Sequence, residues 1–508
     1  MKLRPSLLAL SVLVLLSTHF VSAQSPGFSS TLESQTNNQP PCNLDSGSAA
    51  LPTLGASYLA SPAGAGYDSS AKVKPADAKT VGYQYLLTFY ARWYTYSQAS
   101  PGACNGIVGP YNVTALYHAV VAIQVDTVYA SAFIGAKKEP VIVTVPATTD
   151  NYSVLHLDQY GNVFPGIPAN QPGTYGLTAP GWQGTLPPGV KQVPVPYDYT
   201  ELIFRADKYV KDQNGNYVDM TMEADNFRRG LHAAGLTDYE NDPNSGPATI
   251  LPEPLFAYPY KGKAVDWLAN NPVMFLTTLQ TAVMSPTTQP LTPEQQSLSA
   301  TFNTLFSDPA NWPDLSAGAQ MAHDDIDANY LTHTFQDTYW IEFTNIGAWN
   351  KTAFPQYLDQ DSITDYIQYG NNHEAAVYYH TFRDSNGEEL DGGDGKNQYV
   401  LQFPSGQQPD VTRFWSLHAY LPVGIELVPN SADKFNVASY TPGLVTNADG
   451  SVTVLMSRDL PNGFPEANWL PIPNDGNFSI MLRAYGPQGS VLNNTYVPPP
   501  IVKQANSR

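Results

Sequence analysis

Two polar side chains near the end of one predicted strand are of types that could transfer protons. His156 and Asp158 alternate with leucines over the stretch 152–158, and alternate residues of a strand point to the same face of its sheet. A carboxylate beside a histidine is a common arrangement for general acid–base catalysis, although such pairs also occur on ordinary protein surfaces. We therefore treat His156 and Asp158 as candidate catalytic residues.

A second group of polar side chains lies in the segment HDDIDANYLTH, which has the pattern of a helix. His323, Asp327 and Tyr330 share one helix face, which could hold a metal ion or transfer protons. Because acidic residues on helices usually face solvent, we interpret this face as solvated. The sequence contains no HExxH, GxSxG or GxGxxG motif and no phosphate-binding loop, so we expect no metal and no cofactor.

Aromatic residues are abundant, with 32 Tyr, 20 Phe and 8 Trp. Trp415 and Trp469 both lie in predicted β-structure, where exposed indole rings could stack on a sugar or another flat ligand. The alternative is that they lie in a hydrophobic core, where aromatic side chains contribute much of the stabilising free energy. We favour the core for Trp415, and we retain both residues as candidate ligand-binding residues.

The first residues have the features of a secretory signal peptide. A basic start precedes an apolar run, and Ala23 ends a small-residue cleavage pattern, so we predict a signal peptide at 1–23. The apolar run is too short to span a bilayer comfortably, which disfavours the alternative of a membrane anchor. Residues 24–74 are rich in Ser, Pro, Gly and Ala, and we predict a disordered leader there. We expect a secreted, extracellular protein with no membrane contact after cleavage.

Cysteines and glycosylation motifs agree with export. We predict that Cys42 and Cys104 form a disulfide in an oxidising compartment, with two free thiols as the alternative. Five sequons are candidate N-glycosylation sites, of which we expect about two or three to be used. Their asparagines are Asn112, Asn151, Asn350, Asn477 and Asn493.

The chain is acidic, with 44 Asp and Glu against 25 Lys and Arg and a formal net charge of −19. Loss of Lys2 and Arg4 with the signal peptide makes the mature chain more negative still. This charge argues against nucleic acid or an anionic membrane surface as the partner. We expect a small molecule or a glycan as the ligand, and the sequence leaves the oligomeric state open.

The distribution of elements predicts a mainly β protein of the α+β class. We expect two antiparallel β-sandwich or barrel-like domains joined by a helical segment. The predicted boundaries are 75–210 for the first β-rich domain, 211–370 for the helical bridge and 371–508 for the second β domain. We predict strands at 141–145 and 152–157, a hairpin between 376–382 and 399–403, and helices over 222–234, 272–284, from 293 and over 315–334.

The C-terminal part resembles domain-of-unknown-function family 1214. The residues that carry the resemblance are Phe414-Trp415-Ser416-Leu417, Tyr420, Asn430, Asp449-Gly450-Ser451, Asn468-Trp469-Leu470-Pro471, Phe478, Arg483, Tyr485 and Pro487. The upstream half resembles the companion family 1254, through Val125-Asp126-Thr127, Tyr129, Glu139-Pro140 and the strand after it, Tyr152, Asp158, Pro180-Gly181-Trp182, Gly184, Leu186-Pro187 and Arg205. The chain looks like a secreted, eukaryotic-type member of this tandem.

The resemblance implies two β-rich domains with a helical part, and it supplies no established reaction. The chain departs from the upstream pattern at Gln124, where an Asn usually precedes Val-Asp-Thr. It also lacks the usual Arg-Thr-x-Gly over 162–177. If that Arg binds an anionic group in relatives, this chain differs in its ligand.

Three hypotheses about function follow. The first is a secreted enzyme that acts on a small polar or carbohydrate-like substrate in a cleft between the β domains. Its candidate catalytic residues are Asp126, Tyr129, His156, Asp158 and Arg205 from the first domain, and Arg483 and Tyr485 from the second. The second is a non-catalytic protein that binds a glycan or a metabolite, and the third is a tailoring enzyme of a secreted secondary metabolite. The sequence leaves open whether the protein is an enzyme.

Overall fold

The structure is a computed structural model that describes residues 77–99, 104–110, 113–118, 120–244, 260–285, 288–349 and 356–504. All of these residues belong to one unit of the chain, Gln39–Arg508. The predicted signal peptide and leader lie outside them. In the described part of the chain, no helix is both long enough and apolar enough to cross a membrane.

Two sheets form the first β lobe. Its strands are β1 (Thr127–Gly135), β2 (Val141–Val145), β3 (Tyr152–Leu157), β4 (Gly173–Thr178), β5 (Val190–Pro194), β6 (Tyr199–Asp207), β7 (Tyr209–Lys211), β8 (Tyr217–Asp219) and β9 (His232–Gly235). One sheet has the antiparallel order β1-β6-β3, the other has the order β5-β4-β2-β9, and β7 pairs with β8. Both large sheets contribute to one hydrophobic core. The predicted strands at 141–145 and 152–157 are confirmed as β2 and β3.

Most of the helices form a layer of their own. The helices are α1 (Ala78–Ala99), α2 (Thr221–Arg229), α3 (Leu236–Asn241), α4 (Tyr260–Asn270), α5 (Pro272–Met284), α6 (Pro293–Phe306), α7 (Trp312–Thr332), α8 (Gln356–Tyr366) and α9 (Gly489–Leu492). Helices α1, α4, α5, α6 and α7 share one hydrophobic cluster. Helix α1 therefore packs against helices that come much later in the sequence, although α1 itself precedes the first β lobe.

Local sequence signals determine where several helices begin. Thr292 and Gln295 form the capping box of α6, and Pro272 is the first residue of α5, as predicted. The helix predicted over 222–234 is wrong in its second half. Helix α2 ends at Arg229, and residues 232–235 instead form β9, because pairing with β2 provides hydrogen bonds that a longer helix would forgo.

Two further sheets form the second β lobe. Its strands are β10 (Ile341–Glu342), β11 (Ala376–Thr381), β12 (Gln398–Phe403), β13 (Val411–Leu421), β14 (Glu426–Leu427), β15 (Asn436–Ala438), β16 (Val452–Ser457), β17 (Trp469–Pro471), β18 (Ser479–Pro487) and β19 (Val502–Lys503). The larger sheet has the order β10-β11-β18-β13-β14, with β15 on β13, and the smaller has the order β17-β16-β12-β19. They enclose a sandwich core. The predicted α+β class, with mainly antiparallel sheets, is confirmed, and the exact domain boundaries stay predictions.

The predicted hairpin between 376–382 and 399–403 is wrong. β11 pairs with β10 and β18, whereas β12 pairs with β16 and β19 in the opposite sheet. The loop between β11 and β12 therefore crosses the sandwich. Both strands are apolar on the core side, and such a pattern fits either sheet, so adjacency in sequence did not identify the partner.

The larger sheet of the second lobe is covered on both faces. Along β13, Trp415, Leu417 and Ala419 lie in the sandwich core, whereas Ser416, His418 and Tyr420 point to the opposite face, as strand alternation requires. That face packs against segment 120–126 and strand β1 of the first lobe, and Arg413 of β13 bonds to Asp207 of β6. We call this inter-lobe layer the seam.

Candidate functional site at the seam

The carboxylate of Asp126 is the hydrogen-bonding centre of the seam. Asp126 lies directly before β1 and is fully buried. Its Oδ2 accepts a hydrogen bond from Ser416 Oγ at 2.6 Å. Its Oδ1 accepts from Asn436 Nδ2 at 2.8 Å and from Tyr440 OH at 2.5 Å. All three donors come from the second lobe, so Asp126 joins the two lobes through neutral donors.

His418 connects Asp126 to Arg483. Its Nε2 lies 3.8 Å from Asp126 Oδ1, and its Nδ1 lies 3.4 Å from Arg483 Nη1. Complete burial lowers the pKa of His418 to about 3, with Asp126 opposing the shift and Arg483 adding to it. The imidazole is therefore neutral. Both ring nitrogens face a donor, because Nδ1 faces Arg483 Nη1 and Nε2 lies 3.4 Å from the backbone nitrogen of Val125.

The guanidinium of Arg483 is buried among neutral acceptors. Nη1 donates to Tyr420 OH at 2.8 Å, and Nη2 donates to the backbone oxygen of Ala122. Burial by itself lowers the pKa of Arg483. The nearby tyrosines and Asp126 together raise it by more than burial lowers it, so the pKa lies above its usual value. Within the described ranges, Arg483 has no carboxylate at ion-pair distance.

Arg205 is the second buried arginine of the seam with neutral partners. It lies on β6 and is 6% exposed. Nη1 donates to Asn371 Oδ1 at 3.0 Å, and Nη2 donates to Tyr369 O at 2.8 Å. Its guanidinium lies over the ring of Tyr129, 5.5 Å from the ring centroid. No carboxylate among the residues placed by the structure pairs with it.

Tyr129 and Tyr485 bring one hydroxyl from each lobe to the same region. Tyr129 is half-buried and Tyr485 is buried. Burial raises the pKa of Tyr129, whereas Arg205 and Arg483 lower it, and the net change is upward. Burial raises the pKa of Tyr485 well above its usual value, and the nearby Tyr129 is the second-largest cause of the rise. Neither hydroxyl has a hydrogen-bond partner in the described part of the chain, and both remain protonated donors.

The rim of the seam has a different arrangement, with a direct ion pair. Arg413 Nε donates to Asp207 Oδ2 at 2.9 Å, and Nη2 donates to Oδ1. Asp150 lies beside this pair and is 4% exposed. Burial, and then the charge of Asp207, raise the pKa of Asp150 to about 8. Neither of its carboxyl oxygens has a hydrogen-bond partner among the described groups.

A small hollow lies next to Tyr369, the backbone partner of Arg205. Its walls include Leu157, Trp349 and Gln368, and its volume is about 20 Å³. A cavity of this size has room for about one water molecule. Among the described residues, no group of three or more His, Cys, Asp or Glu side chains is arranged to hold a metal ion.

His156 faces away from the seam. It pairs with Leu202 across β3 and β6, and Leu202 belongs to the core of the first lobe. Its Nε2 accepts a hydrogen bond from the backbone nitrogen of Ile167 at 2.8 Å, and burial lowers its pKa to about 3. His156 is thus a neutral residue of the first lobe, and its predicted place in an inter-lobe site is wrong.

Asp158 closes a turn and does not pair with His156. It follows the end of β3 and accepts hydrogen bonds from the backbone nitrogens of Tyr160 and Asn162, both at 2.9 Å. Burial raises its pKa to about 6. The predicted acid–base pair does not form because the strand ends at Leu157 and the chain turns there.

The two candidate stacking residues are both enclosed. Trp415 is 2% exposed and Trp469 is 7% exposed. The indole N–H of Trp415 donates to Gln408 Oε1 at 3.1 Å, and that of Trp469 donates to Ser457 O at 3.0 Å. Because their rings pack inside the second lobe, a stacking role for either one does not agree with the structure.

The helix face with His323, Asp327 and Tyr330 is largely buried, so its interpretation as a solvated face is wrong. His323 is 3% exposed and Tyr330 is fully buried, whereas the Asp327 side chain is 40% exposed. His323 lies between Asp327 and Asp365, which it approaches to 3.7 Å and 3.3 Å. Helix α8 covers this face of α7, which a single-helix pattern does not reveal.

Some of the predicted modification sites lie among the residues that the structure describes. Asn477 and Asn493 are exposed, and Asn151 is partly buried at the start of β3. Asn112 and Asn350 lie outside the described residues. Cys42 does as well, so its disulfide with Cys104 stays a prediction.

Sequence reasoning brought the right segments together but missed several members of the site. Asp126, Tyr129, Arg205, Arg483 and Tyr485 all lie at the seam, as expected. The residues that it missed are His418, Asn436, Tyr440 and the Asp207–Arg413 pair. Strand alternation alone would have found His418, because it lies two residues after Ser416 and so shares its face.

Two families of unknown function match the chain, in the predicted order. The family described as Protein of unknown function (DUF1254) matches residues 105–232. The family described as Protein of unknown function (DUF1214) matches residues 375–489. Among curated proteins, none matches the sequence.

Two crystal structures are similar to this chain. The VPA0106 protein from Vibrio parahaemolyticus is 18% identical, with a TM-score of 0.54, over 84% of this chain and 99% of that chain. An uncharacterized protein from Burkholderia cenocepacia is 15% identical, with a TM-score of 0.39, over 84% of this chain and 94% of that chain. At this identity, the Vibrio protein shows a shared fold and no more. The chain therefore combines a DUF1254 region with a following DUF1214 region.

Proposed function

We propose that the chain is a secreted enzyme that acts on a small polar molecule at the seam between its two β lobes. One observation carries the proposal: the hydroxyls of Tyr129 and Tyr485 lack hydrogen-bond partners among the described residues, within a layer where most polar groups are bonded. Neither hydroxyl is among the fully enclosed atoms that lack a partner, so both retain some accessible surface for a hydrogen bond to a bound molecule.

The residues of the seam divide into two roles in this proposal. Tyr129 and Tyr485 contact the substrate and are the candidate proton donors. Arg205 and Arg483 stabilise negative charge on the bound molecule, because they are cationic and close to Tyr129. Asp126 and His418 position Arg483 and the tyrosine-bearing strands, since both are enclosed and bonded within the protein.

Export is part of the proposal and rests on sequence features. The signal peptide at 1–23, the sequons and the pair Cys42 and Cys104 support an extracellular, N-glycosylated protein of the eukaryotic type. The exposure of Asn477 and Asn493 supports these two as used glycosylation sites. We expect both to carry glycans when the chain is produced in a eukaryotic secretion host.

The test is turnover by the purified full chain. The purified chain is incubated with small molecules extracted from the culture medium of the cells that naturally produce it. Mass spectrometry follows the compounds that disappear or form. We expect the wild type to convert at least one compound, and Tyr129→Phe to convert it at least about 10-fold more slowly. Tyr83→Phe is the matched control, because the Tyr83 hydroxyl bonds to Asp325 on the helical surface. Equal turnover by Tyr129→Phe and wild type would contradict the proposed site.

A non-catalytic binding function is the second candidate. It is favoured by the complete burial of Asp126 and His418, the carboxylate–histidine pair nearest to the tyrosines. A protein of this kind would retain a compound from the extract without changing its mass. Binding that depends on Tyr129 but gives no product would select this candidate over the enzyme.

A further inference from the structure

The arginines of this protein fall into two groups by the charge of their partners. Arg413 pairs with Asp207, and Arg228 pairs with Asp225. Arg205 bonds only to an amide oxygen and a backbone oxygen, and Arg483 bonds only to neutral groups as well. Arg92 of the helical layer is also buried among neutral acceptors, but five hydrogen bonds satisfy its guanidinium. Arg205 makes only two, so its lost hydration is replaced less completely.

The carboxylates of the seam have other partners than Arg205. Asp207 is bonded to Arg413, and Asp126 lies close to His418 and Lys208. The buried Glu201 is on the same strand as Arg205, but no ion pair joins the two among the described contacts. The guanidinium of Arg205 therefore retains N–H donors that an acceptor group of a ligand can use.

The hydrogen-bonding character of the seam points the same way. The hydroxyls of Tyr129 and Tyr485 remain protonated and have no acceptor in the described structure. Guanidinium groups are exclusively donors, whereas a tyrosine hydroxyl can donate or accept. An acceptor can therefore bond to both kinds of group, and a carboxylate or phosphate offers two or more acceptors on one small group.

We infer that the molecule bound at the seam carries an oxyanion, a carboxylate or a phosphate, held by the hydroxyls of Tyr129 and Tyr485 in the field of Arg205 and Arg483. This inference rests on the proposed placement of the ligand at the seam, and it adds the chemical class of the ligand. It does not require turnover.

The experiment titrates the full chain with inorganic phosphate and, separately, with acetate, with sodium chloride holding ionic strength constant. Thermal unfolding and calorimetry follow binding. We expect at least one of the two anions to give a saturable stabilisation, and the anion that binds identifies the source of the oxyanion. In Arg205→Gln and in Tyr129→Phe, the affinity should fall at least about 10-fold. Each variant is compared with its own anion-free midpoint, so a change in basal stability does not obscure the result.

Arg383→Gln is the matched control, because it removes an arginine whose side chain is 46% exposed and lies outside the seam. It should bind the anion as the wild type does. The inference is overturned if neither anion stabilises the wild type beyond sodium chloride, or if Arg205→Gln and Tyr129→Phe both keep full affinity. If Tyr129→Phe loses turnover but the wild type binds neither anion, the proposed function is retained and only this inference is overturned.

Discussion

The rim and the centre of the seam use the same residue types for different purposes. At the rim, Asp207 of β6 pairs with Arg413 of the second lobe. Two residues earlier on the same face of β6, Arg205 meets only neutral groups. The rim thus contains a direct ion pair, whereas Arg205 at the centre has none among the described residues. The difference agrees with a rim that holds the lobes together, and with our proposal that the centre gives up some stability for binding.

The largest effect is expected at the rim. Asp207→Asn should lower the free energy of unfolding by about 3–5 kcal/mol, because it leaves Arg413 largely buried without its carboxylate. Denaturant unfolding measures the change. Asp459→Asn is the control, since its pair with Arg458 is exposed and should change stability by less than about 1 kcal/mol. Equal effects of the two substitutions would mean that the rim pair does not hold the lobes.

A smaller loss is expected at the centre for Asp126→Asn, about 2 kcal/mol. The amide nitrogen of the new side chain would face donors such as Ser416 and Tyr440, so at least one buried hydrogen bond is lost. Thermal unfolding and turnover are measured together. Unchanged melting with unchanged turnover would remove Asp126 from the site.

These two predictions also show what the sequence could and could not provide. The start of α5 and the bounds of β2 were predictable because prolines and a run of β-branched residues act locally. The partners of β11 and β12 were not, because pairing is decided by packing between distant segments. The same reason explains the site: Asp126 and Arg483 were recognisable singly, but the Asp207–Arg413 pair joins residues 206 positions apart and has no local pattern.

The pH dependence of stability should differ between wild type and Asp150→Asn. The pKa of Asp150 is about 8 in the folded state and 3.8 in its ordinary state, so the folded protein holds this proton more tightly. Its contribution is present below about pH 4 and is lost as the pH rises toward 8. Since one pKa unit corresponds to about 1.4 kcal/mol, we expect a loss of roughly 2–4 kcal/mol between pH 5 and pH 9. Asp207, Arg413 and Glu223 set the local charge.

The measurement is the difference between the two unfolding curves at pH 5 and at pH 9. Taking the difference cancels other buried acids, such as Asp158 and Glu342. A stability difference that does not change between these pH values would show that Asp150 is ionised in the folded state.

The smallest effect on stability is expected for Tyr485→Phe, a change within about 0.5 kcal/mol. Its hydroxyl has no hydrogen-bond partner among the described residues, so its removal breaks no bond within them. Tyr440→Phe is the matched comparison, because that hydroxyl donates to Asp126 and its loss should cost about 1–3 kcal/mol. Equal losses from the two variants would show that Tyr485 has a structural bond like that of Tyr440.

A crystal structure of the full mature chain soaked in phosphate tests the central claim most directly. We expect phosphate oxygens within about 3.2 Å of the hydroxyls of both Tyr129 and Tyr485, with Arg205 beside them. Tyrosine hydroxyls bonded to protein groups, with no phosphate between the lobes, would contradict a binding site at the seam.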